Sequence, residues 1–326
     1  MKILSGAILA SALISPQSFA GEREQVEKVV NPFSEEQILG LGSREIETRQ
    51  VSDISSDRIA LARETMQRLS PSVLEEILSK VTGVAVQEIH EAGQLQKVVL
   101  VSPESVEQDL NLPENIEEEI KQIPAVHIPD IDTMIINVGQ ISSMTEGSDI
   151  NYVNNVLMSS VHEWVHSLES MQGVSEQGRI DIILKEGLTE ALADRMYDSL
   201  GVDRDSFSIY SETTQPFAEF LLACEQGPQI SRAFVSGEKN KIPDLINEEF
   251  GREAWERIMA VDLGFPQNDA AVPFVPLLLL TNHDIDRAIE ILNRIPEFGS
   301  HHRIFPIINE GRVTGLLIQQ NLKIFY

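Results

Sequence analysis

The spacing of apolar residues over positions 149–201 predicts two long helices in succession. In the first helix an apolar residue recurs every three or four positions, at Ile150, Val153, Leu157, Val161, Val165 and Leu168. Asp149 is a suitable N-cap for this helix, and Gly173 is a suitable C-terminal cap. The second helix is expected from about Arg179 to Leu200, closed by Gly201. The interval between them allows a turn, so the two helices are expected to be antiparallel.

The rest of the chain combines helical patterns with short apolar runs that are typical of strands. Residues 97–101 form one such run, and residues 132–138 form a second that ends at Gly139. Helical patterns are found at residues 21–96, 214–226, 243–262 and 284–294. The chain ends in an apolar tail, residues 313–325, whose pattern is compatible with a strand. Together these elements predict an α+β fold.

The first long helix carries side chains that suit a metal ion. His162 and His166 are four residues apart, so they project from one face with about 6 Å of axial rise between them. That separation lets two imidazole nitrogens meet one tetrahedral ion. Glu163 follows the first histidine, and from there its carboxylate can reach a metal-bound water without being a ligand. The pattern therefore predicts a hydrolytic zinc site.

The second helix is a source of the third ligand that such a zinc site needs. Nineteen residues lie between His166 and Glu186, which is enough for one helix to end and an antiparallel helix to begin. Glu186, Glu190 and Asp194 follow one another at intervals of four residues and share one face of this helix. A carboxylate on this face is thus expected to complete the site.

The two motifs together resemble those of the gluzincin zinc metallopeptidases. The chain has His-Glu-x-x-His followed by Glu-x-x-Thr-Glu, where thermolysin-like enzymes have Asn-Glu-x-x-Ser-Asp on the second helix. The resemblance covers Val161 to Leu200 and departs from that pattern at Lys185, Thr189 and Glu190. It implies a zincin-like fold, with the active-site helix under a small sheet and a helical C-terminal lobe.

The resemblance also implies a role for each motif residue. It makes His162, His166 and Glu186 the ligands of Zn²⁺ and Glu163 the general base that activates the zinc-bound water. Glu190 would orient a ligand histidine through its other ring nitrogen. The strand at residues 132–138 would form the sheet edge, where an extended peptide adds as a further strand. The implied function is zinc-dependent hydrolysis of peptide bonds.

A hydrolytic zinc site also benefits from a donor that stabilises the oxyanion of the tetrahedral intermediate. Tyr197 lies too far along the second helix from Glu186, so Tyr210, on the segment after that helix, is the candidate. Three histidines are alternatives: His283, His301 and His302. His127, which precedes the second strand, is interpreted as structural.

The first 20 residues have the charged start, short apolar core and small-residue end of a secretory signal peptide. We therefore expect cleavage after Ala20 and an exported, periplasmic or secreted protein. Residues 21–96 are interpreted as a helical N-terminal subdomain or a propeptide. Residues 97–226 are expected to form the catalytic domain, and residues 227–326 a mainly helical C-terminal lobe.

The net charge and the cysteine content limit which binding partners and disulfides are expected. A formal net charge of −26 argues against nucleic acid or an anionic membrane as a partner. The partner that the resemblance implies is a peptide or protein substrate. Cys224 is the single cysteine, so no internal disulfide can form. Two alternatives remain open: a non-enzymatic zinc-binding protein or degenerate zincin that acts as a binding module, and a zinc hydrolase for a non-peptide bond. The sequence does not determine the oligomeric state.

Overall fold

The computed structural model describes eleven parts of the chain: residues 45–48, 54–92, 95, 97–102, 120–145, 147–168, 179–202, 215–259, 275–295, 302–309 and 312–320. In chain order the elements are β1 (Glu45–Thr48), α1 (Ser56–Arg68), α2 (Pro71–Thr82), α3 (Val86–Ala92), β2 (Lys97–Val101), β3 (Ala125–Ile128), β4 (Thr133–Asn137), α4 (Val138–Met144), α5 (Asp149–Leu168), α6 (Arg179–Leu200), α7 (Gln215–Ala223), α8 (Gly227–Val235), α9 (Ile242–Phe250), α10 (Ala254–Met259), α11 (Val275–Leu280), α12 (Ile285–Leu292), β5 (His302–Asn309) and β6 (Arg312–Gln320). The predicted α+β class is confirmed, since the fold is mostly helical with a small four-stranded sheet. Within these parts, no helix is long and apolar enough to cross a bilayer.

The four-stranded sheet has the order β1-β2-β4-β3. β1, β2 and β4 are parallel to one another, and β3 is antiparallel to β4. Both faces of the sheet are apolar, as expected when a strand is covered on each side. One face packs against the helices and the other forms a smaller cluster around Ile120 and Ile135.

The strand predicted at residues 132–138 is present, but its expected place at the sheet edge is wrong. This strand, β4, lies between β2 and β3, and all five of its residues are buried. Continuous burial is typical of an interior strand rather than an edge strand. The last strand in the order is β3, which the sequence analysis did not predict because it has only four residues, enclosed by Pro124 and Pro129.

The N-terminal region predicted as helical contains a strand as well. β1 pairs in parallel with β2, and Glu47 of β1 forms an ion pair with Lys97 of β2. Its sequence, Glu-Ile-Glu-Thr, has a single apolar residue, so pairing rather than hydrophobic pattern determines its conformation. The following helices α1 and α2 pack on α5 and α6 and share the apolar core of the described chain.

The start of α5 is held by its own N-cap and by a residue of α1. The hydroxyl of Ser148 accepts from the Asn151 N–H at 3.3 Å, so Ser148 is the N-cap and Asp149, predicted as the cap, is the first residue of the helix. Arg58 of α1 donates to the Asp149 carboxylate at 3.3 Å and lies over the Tyr152 ring. Trp164 and Val165, farther along, are buried in the core.

Among the described residues from 215 onward, helices α7 to α12 precede two paired strands. The helix predicted at 243–262 is divided in two, because Gly251 and Glu253 adopt positive φ angles of 93° and 70° between α9 and α10. The side chain of Asn247 accepts from the Trp255 N–H at 2.9 Å and so caps the second piece. The apolar tail forms strand β6, paired antiparallel with β5.

Candidate metal centre

The antiparallel pair α5 and α6 brings three potential ligand atoms to one point. The Nε2 atoms of His162 and His166 are 3.0 Å apart. Glu186 Oε2 lies 3.1 Å from the Nε2 of His166 and 3.6 Å from that of His162. These three side chains, called the His–Glu cluster below, are the three residues that the sequence predicted as ligands.

The size of this triangle fits a zinc ion. Tetrahedral zinc with bonds of about 2.0–2.1 Å holds its ligand atoms about 3.3 Å apart. The three observed separations bracket that value. A circle through the three atoms has a radius of about 1.9 Å, so a point about 2 Å from all of them lies just outside their plane. The side chains are only 9% to 19% exposed, so the site is largely enclosed.

Each histidine is held through its other ring nitrogen by a residue of α6. His162 Nδ1 lies 2.7 Å from Glu190 Oε2, and His166 Nδ1 lies 3.2 Å from Thr189 Oγ1. Glu190 and Thr189 follow Glu186 by four and three residues, so they flank it on the same face of the helix. Both contacts leave the Nε2 atom facing the shared point, as a metal-binding imidazole requires.

The electrostatics of the cluster favour a cation at its centre. Burial alone would lower the pKa of His162, but hydrogen bonds to Glu186 and Glu190 and the charge of Glu163 raise this pKa to about 10. Burial also disfavours the charged form of Glu186, yet the two imidazoles hold the pKa of its carboxyl well below the usual range. The carboxylates around the two imidazoles therefore favour positive charge at this point.

Glu163 reaches from α5 towards the edge of the sheet. Its Oε2 accepts a hydrogen bond of 2.7 Å from the backbone N–H of His127, in β3. This contact uses one of the two carboxylate oxygens and fixes the orientation of the group. The sequence analysis interpreted His127 as structural, but it is the main chain of this residue that contacts the predicted base.

The outward direction of that N–H follows from the pairing of β3 with β4. The Asn137 N–H donates to the Pro124 carbonyl, so residues 124 and 137 form a hydrogen-bonded pair of the antiparallel ladder. Hydrogen-bonded and non-hydrogen-bonded pairs alternate along an antiparallel ladder. Ala125 and His127 therefore belong to non-hydrogen-bonded pairs, and their N–H and C=O groups are directed away from β4. The outer side of β3 thus presents backbone groups beside Glu163.

The structure brings together His162, His166, Glu186 and Glu190, and places Glu163 at the adjoining strand. Tyr210, predicted as an oxyanion donor, lies outside the described residues. Tyr197 donates to the Met158 carbonyl at 3.0 Å and joins the two helices in the core. The sequence analysis missed two contacts, the Thr189 hydroxyl and the His127 N–H. In the sequence, the only indication of the Thr189 contact is that a threonine directly precedes Glu190.

Comparisons with protein-family models, with curated proteins and with solved structures found no match for this chain.

Proposed function

We propose that this protein is a zinc-dependent peptidase of the gluzincin type, with a zincin-like arrangement of helix and sheet. The observation that carries the proposal is the convergence of three ligand atoms within 3.6 Å, on two antiparallel helices. His162, His166 and Glu186 would hold one Zn²⁺. A purely structural zinc site has four protein ligands, whereas this cluster supplies three and leaves a position for water or substrate.

The residues around the proposed ion have separable tasks. Zinc, when bound, supplies a Lewis acid that lowers the pKa of water and polarises a carbonyl group. Glu163 accepts a proton from the attacking water on its carboxylate and then transfers it to the departing amine. The His127 N–H restricts the rotation of this carboxylate. Glu190 and Thr189 keep the two imidazoles oriented during the reaction.

The outer side of β3 supports a peptide as the substrate. Ala125 directs its N–H and C=O away from the sheet, and His127 its C=O, since the His127 N–H already donates to Glu163. A peptide in extended conformation can pair with these remaining groups as an added strand. The scissile bond would then lie close to Glu163, which the same strand contacts. A non-peptide substrate makes no use of a strand edge, so this feature favours the peptidase over the other zinc hydrolases.

We also propose that the protein acts after export, on the basis of the signal-peptide pattern of residues 1–20. Its large negative charge favours solubility and disfavours binding to nucleic acid.

The decisive experiment compares Glu163→Gln with the wild type in zinc content and in cleavage of a quenched-fluorescence peptide library. We expect about one zinc per chain in both proteins, and a loss of about 100-fold or more in kcat/KM for the variant, because the amide cannot carry the proton. Glu64→Gln, an exposed glutamate of α1 that pairs with Arg68, is the control and should cleave like the wild type. Equal turnover by Glu163→Gln would overturn the mechanism. A wild type that binds zinc but cleaves no peptide would leave the binding module and the zinc hydrolase for a non-peptide bond as the two alternatives.

A further inference from the structure

The two imidazoles of the His–Glu cluster are supported by partners of different charge. His162 faces the carboxylate of Glu190, and His166 faces the hydroxyl of Thr189. Thr189 is fully buried, and Glu190 is 4% exposed. Neither contact is therefore a surface contact that water could replace without cost. We infer that Thr189 is a positioning residue for the proposed metal site, which holds His166 in the tautomer and orientation that metal binding needs. This inference rests on the zinc site of the proposed function.

A hydroxyl can perform this task only if its own proton is directed elsewhere. A metal-bound imidazole has its proton on Nδ1, so the partner of His166 must act as an acceptor. Threonine in a helix commonly donates its hydroxyl proton to the carbonyl four residues earlier, which leaves a lone pair on Oγ1. Two threonines in other helices of this chain do so: Thr65 to Leu61 at 2.8 Å and Thr82 to Leu78 at 2.7 Å. Thr189, inside α6, is in the same helical setting.

The neutral partner also limits the negative charge of the site. Glu186 as ligand and Glu190 behind His162 already balance a divalent ion, and Glu163 adds a further carboxylate next to them. A fourth carboxylate, behind His166, would make the site still more negative. A hydroxyl fixes the imidazole without that effect. The proposal thus explains why the two histidines have unlike partners.

The test measures zinc affinity, with zinc alone as the probe and no peptide present. Thr189→Val keeps the shape of the side chain and removes the hydroxyl, and Thr189→Ser keeps the hydroxyl. In competition with a chromophoric chelator, we expect zinc binding to Thr189→Val to be about 10- to 100-fold weaker than to the wild type. Thr189→Ser should lie within about three-fold of the wild type. The matched control is Thr65→Val, which alters a helical threonine of α1 that donates to Leu61 and should bind zinc normally.

A spectroscopic measurement separates positioning from a general loss of stability. In ¹⁵N-histidine spectra of the zinc-loaded wild type, both cluster imidazoles should be Nδ1–H tautomers, and Thr189→Val should change the Nδ1–H signal of His166 and leave that of His162 in place. The inference is overturned if Thr189→Val binds zinc as tightly as the wild type, or if Thr189→Ser is as weak as Thr189→Val. Wild-type protein that binds no zinc would overturn both this inference and the proposed function. Zinc binding without peptide cleavage would overturn only the proposed function.

Discussion

Two partly buried carboxylates of this protein, Glu249 and Glu186, have different partners. Glu249, in the C-terminal lobe, has a side chain 7% exposed and receives Arg287 at 3.0 Å on Oε1 and the Gln226 N–H at 3.1 Å on Oε2. Glu186 instead faces two imidazole nitrogens, which in their metal-binding form present lone pairs towards it. Glu249 is neutralised by Arg287, a cation of the chain itself. Glu186 instead lies at the point where the proposed zinc ion would bind.

The difference between the two clusters indicates what distinguishes a cluster that only stabilises the fold from one that is proposed to bind a metal ion. The Arg287 cluster, namely Glu249, Arg287 and the Gln226 N–H, is satisfied by donors of the protein. It is further enclosed by Phe250, whose ring centre lies 5.2 Å from the Arg287 guanidinium. In the His–Glu cluster, outer partners hold the imidazoles, and the inner atoms of the two imidazoles and Glu186 face one another. Three potential ligand atoms that converge in this way suit a cation.

The largest expected effect comes from removing the carboxylate of Glu186, which would bind the zinc ion. Glu186→Ala should weaken zinc binding by more than about 100-fold, because two imidazoles alone give an incomplete site. Elemental analysis after dialysis, together with chelator competition, measures this change. Asp194→Ala, two turns farther along the same face of α6, should keep its zinc. Zinc retained at wild-type affinity by Glu186→Ala would mean that the ion binds elsewhere.

Removing Arg287, the cation that pairs with Glu249, should destabilise the fold without changing the affinity for zinc. Arg287→Ala leaves Glu249 buried without its charged partner, and we expect the free energy of unfolding to fall by about 2–3 kcal/mol. Denaturant titration measures the loss. Arg294→Ala, in the turn after α12, breaks an exposed pair with Glu290 and should cost about 0.5 kcal/mol or less. If the two arginine variants were equally stable, the Arg287 cluster would have no special role.

The contact between Glu163 and β3 can be tested by removing one backbone donor. His127→Pro deletes the N–H that donates to Glu163 and removes no hydrogen bond of the β3–β4 ladder, because this group points away from β4. We expect kcat/KM to fall about 10-fold with zinc affinity unchanged, since a charge-assisted hydrogen bond orients the base. His127→Ala keeps the N–H and serves as the control. Equal rates for the two variants would exclude a role for this donor.

The smallest expected effect concerns the thiol beside the Arg287 cluster. Burial raises the pKa of Cys224 to about 12, and the negative charge of Glu249 adds to this shift. The unfolded chain loses the thiol proton from about pH 9 upward while the folded chain keeps it, so stability should fall as the pH rises. Between pH 8 and pH 10 the loss should be about 1 kcal/mol larger for the wild type than for Cys224→Ser, whose hydroxyl does not titrate. Parallel denaturant titrations of both proteins measure this difference, and identical pH profiles would contradict the raised pKa.

The agreement between sequence and structure is best where local periodicity decides the conformation. The apolar repeat of 149–168 and the His-Glu-x-x-His spacing predicted α5 and the face it presents. Agreement is poorest for short elements that depend on partners distant in sequence. β1 and β3 have four residues each, and their conformation is determined by pairing with β2 and β4. The position of β4 inside the sheet likewise follows from strand order, which no local pattern encodes.

The sequence by itself determined the α+β class and the two antiparallel helices, and helical spacing placed His162 and His166 on one face. The choice of Glu186 as the third candidate ligand came from the resemblance of its motif, because Glu186, Glu190 and Asp194 share one face. Only the tertiary structure decided how those side chains are held. The axial register between α5 and α6 pairs His162 with Glu190 and His166 with Thr189. The strand order places the His127 N–H against Glu163. These contacts result from the packing of a common core over long sequence separations, which residue spacing alone does not specify.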